Sequence, residues 1–145
     1  MGSNFGKYAI IDPVVFHFEK EPDWWWKINP PTAGDELAMS KFMFVGRAIT
    51  GPDGVRREYP ATVEEVAFRE IALTFGGTNI PMDDNKPVEQ GGEPFIKVGT
   101  SVEDIEYALA KMPTDMIFEI WTAIGNAVPG WGPSKQKKVK EEKRE

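Results

Sequence analysis

The chain has no cysteine, so disulfides, thiolate zinc sites and thiol nucleophiles are excluded. Its single histidine, His17, is too few for a two- or three-histidine metal site or for an HExxH helix. No phosphate-cradling GxxxxGK[ST] loop and no GxSxG nucleophile elbow occurs. No apolar run approaches the ~18 residues that a membrane span needs. The first ten residues, MGSNFGKYAI, lack the charged start and apolar stretch of a signal peptide. They carry the Gly2 of a myristoylation pattern, but Gly6 stands where that pattern wants Ser or Thr. On this inventory no catalytic residue, metal ligand or cofactor is assigned, and no membrane partner is expected.

What remains is a globular composition. The 145 residues are 41% hydrophobic and 28% charged, enough to build a core in one domain. Charge divides the chain. Residues 134–145, SKQKKVKEEKRE, hold six basic and three acidic residues, whereas residues 1–133 hold 11 basic and 20 acidic. An acidic body repels phosphate backbones, so no nucleic-acid partner is expected. The tail has Val139 as its one apolar residue and is expected to be a solvated, disordered extension of a domain over 1–133, or else a contact arm.

Hydrophobic spacing sets out the elements. Val14, Phe16 and Phe18 alternate within a β-rich stretch over 7–19, interrupted by Asp12-Pro13. Glu21-Pro22-Asp23 reads as a turn, and Trp24 to Ile28 as a second strand, so a hairpin is expected. Thr32-x-x-Asp35 predicts a helix start, and Gly46 its end. Gly51-Pro52-Asp53-Gly54 predicts a turn between two short strands. Capping boxes Thr62-x-x-Glu65 and Thr100-x-x-Glu103 open two further helices. Phe75-Gly76-Gly77 closes the first of these, and Phe95, Ile96 and Val98 suggest a short strand in the loop-rich 76–100. Pro113 starts a last helix with Met116, Ile117, Ile120, Trp121 and Ile124 on one face. The expected fold is α+β: a small N-terminal antiparallel sheet or hairpins, packed with about four helices that dominate the C-terminal part.

The candidate site residues are aromatic. In a strand, Trp24 and Trp26 face one side and Trp25 the other, so at least one ring reaches the surface unless both faces are covered. Core packing explains the same rings. Trp121 and Trp131, with Tyr107 and the methionines, could line an apolar groove for a helix, although their helical spacing also suits a core. His17, beside Phe16 and Phe18, is expected to be structural, and Asp83-Asp84-Asn85 lacks calcium-loop spacing and reads as a turn.

Three passages together resemble the tail assembly chaperones of long-tailed bacteriophages. They are an aromatic hairpin leading into Pro30-Pro31-Thr32-x-Gly34-Asp35-Glu36, a helix end running into Asp84-Asn85-Lys86-Pro87-Val88, and the helix–proline–helix of Val102 to Val128. The likeness spans 18–128 and departs from the family's pattern at Phe75, where Trp is usual, and in the loop 89–99. It implies a non-enzymatic protein in the cytoplasm of a bacterial host. Such a protein would bind the largely helical tape measure protein, help recruit tail tube subunits, and leave before the virion is complete. Trp24, Trp25, Trp26, Trp121 and Trp131 would be its partner-binding residues. The family also implies a frameshift near the gene's end, for which Lys137-Lys138 is the candidate position. The alternatives are a small structural or adaptor protein of the virion, and a phage-encoded inhibitor of a host enzyme that uses its acidic body as a nucleic-acid mimic.

Overall fold

A computed structural model describes residues 12–45 and 47–133. The expectations for 7–11, for Gly46 and for the tail 134–145 fall outside the described residues. In chain order the elements are β1 (Val14–His17), β2 (Trp25–Ile28), α1 (Ala33–Val45), β3 (Arg47–Thr50), β4 (Arg56–Tyr59), α2 (Val63–Thr74), β5 (Phe75–Thr78), a 3-10 turn (Val88–Gln90), α3 (Val102–Leu109) and α4 (Thr114–Ala127). The fold is α+β, with four α-helices and two small antiparallel sheets among the described residues.

The first sheet has the order β1-β2-β5. Phe16 pairs with Trp26 and His17 with Trp25, so alternate residues of β2 face opposite ways. Trp26 and Ile28 are fully buried on the inner face, where the Phe75 ring meets Trp26 edge-on at 5.0 Å. Ile71 of α2, Leu109 of α3, and Ile120 and Ile124 of α4 are also fully buried and belong to the same cluster. Sheet and helices therefore share one core.

Helix α2 packs against the other three helices. Its Arg69 lies 4.6 Å over the Phe42 ring of α1, and Arg69 Nε approaches Glu106 Oε1 of α3 at 3.1 Å. That approach is a charge contact, because its geometry is not aligned for a hydrogen bond. Burial pushes the Glu106 carboxyl above the usual carboxylate range, and the Arg69 charge pulls it back.

Both early helix starts are capped as their spacing predicts. Thr32 and Asp35 exchange side-chain–backbone bonds at 2.9 and 3.2 Å, and Thr62 and Glu65 exchange two at 3.2 Å. One expectation is extended and two are corrected. Phe75-Gly76-Gly77 does end α2, but these residues turn directly into β5 beside β2. Gly77 there has φ of +140°, a backbone conformation that favours glycine, and the Trp25 ring lies beside it. The strand expected over Phe95–Val98 is absent. Phe95 N–H donates to the Ile80 carbonyl at 2.7 Å, and a single bridge joins Pro81 to Pro94. Helix α3 is capped by Ser101, whose Oγ accepts from Asp104 N–H, because the Thr100 hydroxyl donates instead to the Lys97 carbonyl.

Candidate functional site

The five tryptophans do not form one surface. Trp26 is enclosed by the core and has no surface to offer. Trp25, on the other face of β2, is half-buried over Gly77, with the exposed Val98 on the same side. Trp24 is half-buried at a polar cleft with Glu21, Asp84 and Glu89. Asn79 organises that corner: its Oδ1 accepts from Trp25 N–H at 2.6 Å, and its Nδ2 donates to the Asp23 carbonyl and to Glu89. The bond from Asn79 holds the Glu89 carboxyl below its ordinary range. His17 is exposed and lies 2.8 Å from the Pro22 carbonyl, a bond that requires the proton on Nδ1. The aspartate run forms a turn in which Asp83 Oδ1 accepts from Asn85 N–H. Among the described residues no cluster of three metal-ligating side chains occurs.

Trp121 and Trp131 are both buried. Trp121 and the residue after Trp131 are joined through Glu70, a buried carboxylate of α2. Its Oε1 accepts from Trp121 Nε1 and from the Gly132 N–H, each at 2.8 Å. Gly132 has φ of +79°, and a Cβ there would collide with the backbone of Gly125. The chain after α4 is thereby folded back onto α2.

Trp121 also floors a cleft of about 380 Å³ between α2, the end of α3 and the start of α4. Val63, Ala67 and Phe68 of α2, Leu109 of α3, Met112 after it and Phe118 of α4 line it. Val63 is 46% exposed and Phe118 59% exposed, while Glu64 and Thr114 supply polar groups at the rim. The cleft offers hydrocarbon to bury and a carboxylate at one edge. That chemistry suits the apolar face of a helix. Of the groove residues proposed from sequence, Trp121 and Met112 line this cleft, whereas Tyr107 lies outside it under Lys111 and Trp131 lines another with Met39 and Met43. Phe118 was missed. Its signal is present in the sequence as an aromatic off the inward stripe of an amphipathic helix.

No protein-family profile, curated protein or solved structure matches the chain. Among the described residues no helix is long and apolar enough to cross a membrane.

Proposed function

We propose that the chain is a non-enzymatic tail assembly chaperone of a long-tailed bacteriophage, acting in the host cytoplasm. It holds an amphipathic helix of the tape measure protein in the α2–α3–α4 cleft and helps recruit tail tube subunits. The cleft carries this reading, because two apolar side chains on its lip stay in water with nothing of the described chain covering them. The resemblance supplies the partner's name, and the cleft supplies the chemistry that would recognise it. Covering Phe118 alone is worth about 1–2 kcal/mol, a factor of roughly 5–30 in affinity.

The test is co-expression with the tape measure protein of the same genome, followed by affinity capture. Wild type is expected to retain it. Phe118→Asp is expected to weaken capture at least about tenfold, with an unchanged unfolding midpoint because the ring is exposed. Capture indifferent to Phe118→Asp and to Val63→Asp would remove the cleft from the interface. Recovery of the chain in finished particles, without tape measure binding, would assign it to the virion structure instead.

A further inference from the structure

The β3–β4 ribbon stands apart from the core. Among the described residues its strands pair only with each other, with Ile49↔Arg57 within the register, and all of β4 is exposed. A two-stranded ribbon of this length is marginal in water, and each strand keeps a free edge. Edge charges normally discourage pairing, but those on β4 are arranged to match themselves.

The Gly51 N–H donates to the Val55 carbonyl, so alternation directs the backbone polar groups of Arg57 and Tyr59 inward to β3. Those of Arg56 and Glu58 then point to the free edge. Two β4 edges related by a two-fold axis normal to the sheet must pair about a residue. Centred on Glu58, that pairing would oppose Arg56 to Pro60, which has no N–H to give. Centred on Arg57, Arg56 of each copy faces Glu58 of the other, at the positions whose N–H and C=O groups are free. Val55, 48% exposed, then faces Tyr59, 43% exposed. The one like-charge meeting, Arg57 with Arg57, is offset because each guanidinium is already held by its own Asp53 at 2.8 Å.

We propose that β4 is a self-association edge, through which two copies of this chain join their ribbons into a four-stranded antiparallel sheet. Within one copy the Arg56–Glu58 approach is a loose 4.0 Å, leaving both charges available to the second. The proposal is independent of the occupant of the helical cleft.

Sedimentation across the micromolar to millimolar range tests it on the whole chain. Wild type is expected to dimerise as concentration rises. Arg56→Glu and Glu58→Arg, each alone, place like charges opposite each other twice and are expected to weaken the dimer at least about tenfold. An equimolar mixture of the two single variants restores both pairings and is expected to form a heterodimer. Both side chains are exposed, so circular dichroism should show unchanged folding. A chain that stays monomeric throughout, a dimer indifferent to either reversal, or a mixture that does not associate would each overturn the proposal.

Discussion

Glu70 and Trp26 show how differently two buried polar groups are treated. A buried carboxylate is costly unless hydrogen-bonded, and Glu70 is bonded to an indole and a backbone amide that would themselves be orphaned without it. The indole N–H of Trp26 has no acceptor among the described residues, so that ring is held by packing alone. Glu70→Leu is therefore expected to cost about 2–4 kcal/mol, since it strands two donors. Glu70→Gln, which keeps an acceptor oxygen, should cost less. Urea unfolding midpoints decide this, and equal losses for Leu and Gln would mean that the two bonds contribute nothing. The clue was in the sequence: Glu70 stands on the Val66–Ala67–Ile71–Thr74 stripe of α2 where a hydrophobe is expected. Its partners, 51 and 62 residues away, could not be found from spacing.

At the scale of elements, local chemistry was readable wherever it stayed local. The Thr32 and Thr62 caps and the Gly51–Gly54 turn depend on neighbours a few residues apart. Helix α3 shows the limit. Thr100-x-x-Glu103 and Ser101-x-x-Asp104 are offset by one residue, and periodicity cannot choose between them. The preceding turn chooses, by engaging the Thr100 hydroxyl at the Lys97 carbonyl. Ser101→Ala is accordingly expected to cost about 1 kcal/mol, and Thr100→Val clearly less. Thermal unfolding of the two variants orders them, and the reverse order would restore the upstream cap. Strand β5 escaped notice for a related reason. Phe-Gly-Gly-Thr has little strand propensity, and only pairing with β2 makes it one.

For the whole molecule, the α+β class could be read from the succession of periodicities, but the cleft could not. Val63 and Phe118 line one cleft because α3 and the Pro113 turn return the chain to α2, a consequence of packing that no local pattern encodes. The same packing makes a prediction about cooperativity. Trp26 lies in the sheet, Trp121 in α4 and Trp131 beyond it, yet all belong to one buried cluster. Tryptophan fluorescence and far-ultraviolet circular dichroism should then report one coincident urea transition. The β3–β4 ribbon adds little to that cluster. Replacing 47–59 with a Gly/Ser stretch of equal length should leave the midpoint of the dilute protein nearly unchanged. Non-coincident transitions would mean that helices and sheet unfold separately. A large fall in midpoint on replacing the ribbon would mean that it braces the core, for which its exposed strand β4 gives no physical route.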